Sequence, residues 1–391
     1  MVNEHPRSQQ RNQKNAQLSY SKKAVKKAGD HIRKGCDEST RAEAIDIIRN
    51  FRASHLYPLM LIKNHINRIA QKVSQDYILA RRLKRLPTII DKLERPTLDG
   101  TTSNAILLTR MQDIGGCRVI FDTVEEVYDC LARLKRSTSV HKIVAIDDWL
   151  FSPKLSGYRG VHVVFSCYDN DDSAVSPWKK HKIEVQLRTR LQHAWATCVE
   201  MIDIFEQTQL KTRLQGDIDY RQFFQVAAKL MAVEEGSDEY TSAQCSEYRR
   251  EMSDLDDTLN VIKKLNNYSI VSEVVGDGGK RRTQLDGQML IALKPQEDEP
   301  GQLSVTRMYF TKAKSNLAVE EYHKLENEPG YKAVVLVSVK NVGDLKKAYP
   351  NYFADSHMFI QFYWHQMKLF NQDLKKDLSE LKSELEELER C

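Results

Sequence analysis

The spacing of apolar and polar positions changes period several times along the 391 residues. Between residues 41 and 85, Ile45, Ile47 and Ile48 and then Leu56, Leu59, Met60, Ile62, Ile66, Ile69 and Val73 recur at helical intervals. This predicts helices with an interruption near Pro58, which cannot donate to a helical ladder. From about Leu107 to Thr189 the period shortens, and CRVIFD, VHKIVAIDDW, GVHVVFSCY and KIEVQL read as strands. Between the first two, TVEEVYDCLARLK sets Val124, Val127, Tyr128, Leu131 and Leu134 on one helical face, giving a strand, helix, strand order. Helical spacing returns from Leu191 to about Asn267 with a break at Gly236-Ser237, and the Gly-rich, basic VVGDGGKRRTQLDG reads as a linker. Beyond it, QMLIALKP, LSVTRMYF and KAVVLVSV are strand candidates, and SNLAVEEYHKLEN is a helix with Ser315 as its cap. Leu374, Leu378, Leu381, Leu385 and Leu388 step by 4, 3, 4 and 3 near the C-terminus. Two to three heptads are short for a coiled coil, and packing on the protein's own body is an equal reading.

Composition narrows the class. At 41 % apolar and 29 % charged the chain is of soluble globular type, with no run of roughly 20 apolar residues to span a bilayer. Seven scattered cysteines without a C-x-x-C pair argue against a disulfide framework and a Cys-rich zinc site. A cytoplasmic, monomeric protein without membrane contact is expected. The net charge of +5 is uneven: residues 1 to 34 hold nine Lys and Arg against Glu4 and Asp30. Lys22, Lys23, Lys26 and Lys27 lie there at helical spacing, so residues 1–44 read as a basic arm that attracts phosphate backbones.

Four clusters carry candidate chemistry. In RLKRLPTIIDKLER, Arg82, Lys84 and Lys92 can converge on one anion. In MQDIGGCRVIFD, Asp113 precedes a Gly pair and the strand with Arg118, a setting that suits a hard-metal carboxylate or a turn cap. FSPKLSGYRGVHVVF packs Lys154, Ser156, Tyr158, Arg159 and His162 into a loop that runs into a strand. In IEVQLRT, strand alternation puts Glu184, Gln186 and Arg188 on the face opposite Ile183, Val185 and Leu187. Together these supply cations, two carboxylates for Mg²⁺ and an aromatic platform for a base, the parts that phosphoryl or pyrophosphoryl transfer needs.

In this order, Arg82-x-Lys84 with Lys92, Asp113 with Arg118, PKLSGYRGVH and EVQLRT resemble the motifs of the RelA/SpoT nucleotidyltransferase family, over roughly residues 45 to 235. The resemblance implies an α+β fold: a mixed sheet flanked by helices, then a small α/β regulatory domain and C-terminal helices. It implies transfer of pyrophosphate from ATP to a ribose hydroxyl. Arg82, Lys84, Lys92 and Arg118 would hold ATP, and Asp113 and Glu184 would bind Mg²⁺. Tyr158 would stack on the acceptor base, with Lys154, Ser156, Arg159 and His162 around it. Glu184, with Gln186, would take the hydroxyl proton, and Arg188 would stabilise developing charge. Ser156 stands where alarmone synthetases commonly carry Asn, and no His-Asp dipeptide marks a hydrolase domain.

RTRLQHAWATCVEMIDIF resembles toxic small alarmone synthetases, which implies the 3′ CCA end of tRNA as acceptor; an alarmone synthetase acting on a free nucleotide is the alternative. Tyr349 and Tyr352 in KKAYPNYFADSHMFIQFYWHQM resemble the neutralisation motif of the CapRel family of fused toxin-antitoxins. That implies a metal-free, zinc-finger-like antitoxin domain released by a phage capsid protein, with Phe353, Phe359 and Phe362 as candidate trigger contacts. The expected layout is 1–44 arm, 45–268 synthetase, 269–285 linker, 286–345 antitoxin domain and 346–391 C-terminal helices.

Overall fold

The structure, a computed structural model, describes residues 17–95, 106–170, 176–205, 218–266, 287–296, 303–331, 333–339 and 356–389. Its first half is built on a five-stranded mixed sheet of order β1-β2-β5-β4-β3. The strands are β1 (Ile78–Leu83), β2 (Gly115–Phe121), β3 (Lys142–Asp148), β4 (Val161–Ser166) and β5 (Lys182–Thr189). Only β2 and β5 run parallel; the other neighbours are antiparallel.

One face of this sheet is apolar. Cys117, Val119 and Phe121 of β2, Val161, Val163 and Phe165 of β4, and Ile183, Val185 and Leu187 of β5 share a core with α3 (Leu56–Ala70) and α5 (Val124–Arg136). The period-2 alternation therefore turns the intervening residues of each strand to the other face, where the chemistry collects. Helix α5 starts at a capping box, Thr123 with Glu126, as its sequence allows.

Several expectations change. Residues 22 to 34 are not part of an arm: α1 (Lys22–Lys34) buries Val25, Ala28 and Ile32 against α2 (Glu38–Ala53), α4 (Leu86–Glu94) and a 3-10 turn at Leu108–Arg110. Its cationic positions hid a narrow apolar stripe, while Lys22, Lys23, Lys26 and Lys27 stay exposed. The predicted break at Pro58 falls instead at Ser54 and His55, between α2 and α3, because Pro58 sits in the first turn of α3 where a missing N–H costs nothing. Part of the basic segment read as helical is the edge strand β1, and Ser315 is the first residue of its helix, after Lys314 at the cap position.

Helices α6 (Arg190–Phe205), α7 (Ile218–Glu234), α8 (Ser242–Leu259) and α10 (His357–Glu389) form a second core around Phe223, Phe224, Phe359 and Tyr363. Phe359 and Phe362, the candidate trigger contacts, are buried in it. The C-terminal sheet, of order β7-β6-β8, comprises β6 (Gly287–Pro295), β7 (Leu303–Thr311) and β8 (Ala333–Val339). Helix α9 (Ser315–Asn327) packs Tyr322 and Leu325 on it. The predicted linker 269–285 and the tyrosines Tyr349 and Tyr352 lie outside the described residues. Among the described residues no helix is long and apolar enough to cross a membrane, and no disulfide joins the cysteines.

Candidate active site

Strand register assembles the site. Across the polar face one row reads Arg82, Gly116 and Glu184, and the next reads Ala80, Arg118, Gln186 and His162. Gly116 leaves a gap between Arg82 and Glu184: an added Cβ would meet only the Arg82 and Glu184 carbonyl oxygens, at 3.9 Å, and would project into open space. That space is a polar cleft lined by Arg82, Lys84, Asp113, Arg118, Glu184 and Gln186.

Lys84 follows β1, with its N–H donating to the Ile114 carbonyl at 2.7 Å, and Lys92 comes from α4. Both ammonium groups converge on Asp113, at 2.8 Å and 3.1 Å. Burial acts to raise the Asp113 carboxyl, but the two lysines outweigh it and hold it at about 2. Burial also lowers Lys84 from its ordinary value, against the pull of Asp113.

A closed ring of hydrogen bonds adjoins this cleft. Tyr158 donates its hydroxyl proton to His162 Nε2, and His162 Nδ1 lies 3.2 Å from Glu184 Oε1. Gln186 donates to the other Glu184 oxygen at 2.7 Å, and Arg188 donates to Gln186 Oε1 at 3.0 Å and back to the Tyr158 oxygen at 2.8 Å. The Tyr158 oxygen accepts from both Arg188 Nε and Nη2, which leaves its proton for His162 Nε2 and assigns His162 to its Nδ1–H tautomer. Each Glu184 oxygen accepts one bond from the ring. Burial acts to raise the Glu184 carboxyl, yet the His162 and Gln186 bonds prevail and hold it below the ordinary value. Burial raises the Tyr158 phenol, which stays protonated to donate.

On the far side of the ring is a second cavity of about 280 Å³, lined by Lys154, Ser156, Tyr158, Arg188, Trp195 and Phe224, among others. Its floor is aromatic: Trp195 lies 6.4 Å from Tyr158 and 6.0 Å from Phe224 between ring centroids. Its rim is cationic, with Lys154 at 5.3 Å and the Arg188 guanidinium at 4.9 Å from the Tyr158 centroid. Gly157 brings the loop onto α7 at φ +85°, where a Cβ would stand 3.0 Å from Ala228 Cβ. Ser156 accepts from the Tyr158 N–H at 3.4 Å and so braces the loop as well as lining the cavity.

One sequence expectation fails: Arg159 faces away from the acceptor cavity. Its guanidinium is buried, paired with Asp238 at 2.9 Å and pointed at the Leu150 carbonyl, because the strand-entry turn at Gly160 sends alternate side chains to opposite sides. Sequence reading also missed Phe224, whose FF pair looks like ordinary core, and Trp195 as a cavity wall. It missed a contact from the C-terminal domain too. Glu326 of α9 accepts from the Leu86 N–H at 3.1 Å, at the start of α4 where Arg85 offers no side-chain cap. Tyr322 donates to Glu326 and receives Arg52 at 3.1 Å, while Arg52 Nε holds the Lys84 carbonyl at 2.6 Å.

Among the described residues no group of three or more His, Cys, Asp and Glu could hold a metal. Two ionised carboxylates on one polar cleft nonetheless fit Mg²⁺, which takes one or two carboxylates and completes its shell with water and substrate phosphates.

A family model of the region found in RelA/SpoT proteins matches residues 81–204. The chain is 29% identical over 116 residues to GTP pyrophosphokinase YwaC of Bacillus subtilis (strain 168), covering 30% of this chain and 52% of that protein. It is 31% identical over 123 residues to the probable chloroplastic GTP diphosphokinase RSH2 of Oryza sativa subsp. japonica, covering 30% of this chain and 14% of that protein. It thus spans about half the length of the first relative and less of the second. Of solved structures, the small alarmone synthetase 2 from Bacillus subtilis is similar at 21% identity and a TM-score of 0.39, over 48% of this chain and 94% of that one. Residues 81–204, which match the RelA/SpoT family model, carry both walls of the polar cleft and the hydrogen-bonded ring.

Proposed function

We propose that the protein is a pyrophosphotransferase of the RelA/SpoT type, moving the β,γ-pyrophosphate of ATP to a ribose hydroxyl of an acceptor nucleotide. One observation carries this reading: Glu184 stands in the ring that separates a cation-lined polar cleft from an aromatic-floored cavity. Such an arrangement takes a polyphosphate on one side and a base on the other, with a carboxylate at their border.

Arg82, Arg118, Lys84 and Lys92 would bind the ATP phosphates, the two lysines exchanging part of their bond to Asp113 for phosphate oxygens. The base of the acceptor would lie on Tyr158, with Trp195 and Phe224 below and Lys154 and Arg188 at the rim. The acceptor hydroxyl attacks the β-phosphorus, the bond from the β-phosphorus to the α,β-bridging oxygen breaks, and AMP leaves. Glu184 would accept the hydroxyl proton. Its lowered proton affinity means that transfer comes late, once bond formation has acidified the hydroxyl. Arg188 would steady the charge of the group in transit. Asp113 and Glu184 would hold Mg²⁺, which supplies charge neutralisation at the phosphates when bound.

The relatives support a guanine nucleotide as acceptor and an alarmone as product: both curated proteins are named as GTP pyrophosphokinase or diphosphokinase. A second reading is a toxin that modifies the 3′ end of tRNA, is restrained by its C-terminal domain and is released by a phage capsid protein. The grip of Glu326 and Tyr322 on the start of α4 and on Arg52 favours restraint, since it ties that domain to the helix carrying Lys92. In this reading Lys22, Lys23, Lys26 and Lys27 on α1 would meet the tRNA backbone, and Tyr349 and Tyr352 would block the site.

Incubation with ATP labelled in its β-phosphate, together with GTP, GDP, ATP or tRNA, separates the readings. Labelled guanosine product supports the first, labelled tRNA from wild type or from Tyr349→Ala with Tyr352→Ala supports the second, and no transfer to any acceptor by either protein rejects both. For the second, neutralising the four α1 lysines should weaken tRNA modification and flatten its salt dependence.

A further inference from the structure

Helix α10 has two halves of opposite character. Its first half is clamped to the body: Phe359, Ile360, Phe362, Tyr363 and Met367 are buried in the helical core. Asp373 is tied to Arg249 at 3.0 Å and to Ser246, both of α8. Past Asp373 the apolar face does not follow the body. Leu374, Leu378 and Leu381 are 37%, 57% and 55% exposed, and Leu385 and Leu388 continue the same spacing in sequence. A row of leucines left in water on a helix anchored at one end is a surface made to be covered.

What covers it follows from the flanking charges. With Leu378 and Leu385 at the a positions of a heptad, Leu374, Leu381 and Leu388 take the d positions. Trp364 and Asn371 then continue the a row toward the body, and both are exposed. Lys368, Lys375 and Lys382 fall at e, and Asp377 and Glu384 fall at g. An antiparallel copy would set acid against acid along g and lysine against lysine along e. A parallel copy sets Asp377 opposite Lys382 of the second chain, and Asn371 at an a position favours a two-stranded register.

We propose that residues 371–388 are a parallel, two-stranded coiled-coil interface with a second copy of this chain. This runs against the monomer expected above. It is independent of the pyrophosphotransferase reading, because none of these residues lines either cavity. The short seam makes a concentration-dependent dimer.

Sedimentation velocity on the full-length protein from about 1 to 100 µM tests this, against a chain mass of 45.2 kDa. The expected result is a shift to twice that mass in wild type, and a monomer throughout the range for Leu378→Lys with Leu381→Lys. Because both leucines are exposed, circular dichroism of that variant should show an unchanged folded body. Asp377→Lys alone should weaken the dimer several-fold, and Asp377→Lys with Lys382→Asp should restore it. A wild type that stays monomeric at 100 µM overturns the proposal, as does a dimer that survives the leucine changes. A dimer strengthened by Asp377→Lys overturns the parallel assignment.

Discussion

Glu184 is held by donors on both oxygens, His162 on one and Gln186 on the other, so the carboxylate is oriented before any substrate arrives. Glu184→Gln keeps the shape and removes the proton acceptor. Turnover should fall roughly 100- to 10,000-fold while ATP affinity changes little, as single-turnover assays and nucleotide titration will show. Its lowered proton affinity also sets a pH dependence. The carboxylate stays ionised at and above its ordinary value of 4.5, so the rate should show no acid limb from Glu184 between pH 5 and 8.

Asp113 gives a stability signature of the same kind. Its folded value of about 2 lies below the ordinary 3.8, so the folded state binds its proton less readily than the unfolded chain does. The contribution is therefore fully present above pH 3.8 and is lost as pH falls through about 2. From this shift it is on the order of 2 kcal/mol. Urea melts of wild type and Asp113→Asn should differ by about that amount at pH 6 and converge toward pH 2. A difference independent of pH would detach the effect from ionisation.

At the scale of elements, the motif-bearing segments were legible because strand alternation sorts their residues: Ile183, Val185 and Leu187 go to the core and Glu184, Gln186 and Arg188 to the site. Features set by distant partners were not. Arg159 is claimed by Asp238, 79 residues later, and nothing in its own loop signals that. Strand β1 was obscured because arginines occupy half of its central positions; as an edge strand it is not buried on both faces and needs no continuous apolar run. The stripe of α1 was masked by lysines that face water. The cap on α4 is an extreme case, since its acceptor, Glu326, comes 240 residues after Leu86. Glu326→Ala should leave that N–H without its carboxylate at a cost of about 1 kcal/mol, or roughly fivefold faster amide exchange at the start of α4. Unchanged exchange there would mean that the C-terminal domain does not brace this helix in solution.

At the scale of the molecule, two cores and a small second sheet serve one site. The sheet core fixes the register that aligns Arg82, Gly116 and Glu184, and the helical core supplies Trp195 and Phe224 to the cavity floor. Helix α9 reaches back to the start of α4, and through Tyr322 and Arg52 it joins the wall that carries Lys84 and Lys92. The central claim is that the hydrogen-bonded ring separates a donor cleft from an acceptor cavity and that Glu184 joins their chemistry. Its most direct measurement is transfer of label from β-labelled ATP to a nucleotide or tRNA acceptor, with AMP counted in parallel, for wild type and Glu184→Gln. The account predicts labelled acceptor and AMP in equal amounts from wild type and almost none from the variant, with ATP binding intact in both. Label transfer that survives Glu184→Gln, or ATP binding in wild type with no transfer to any acceptor, would contradict it.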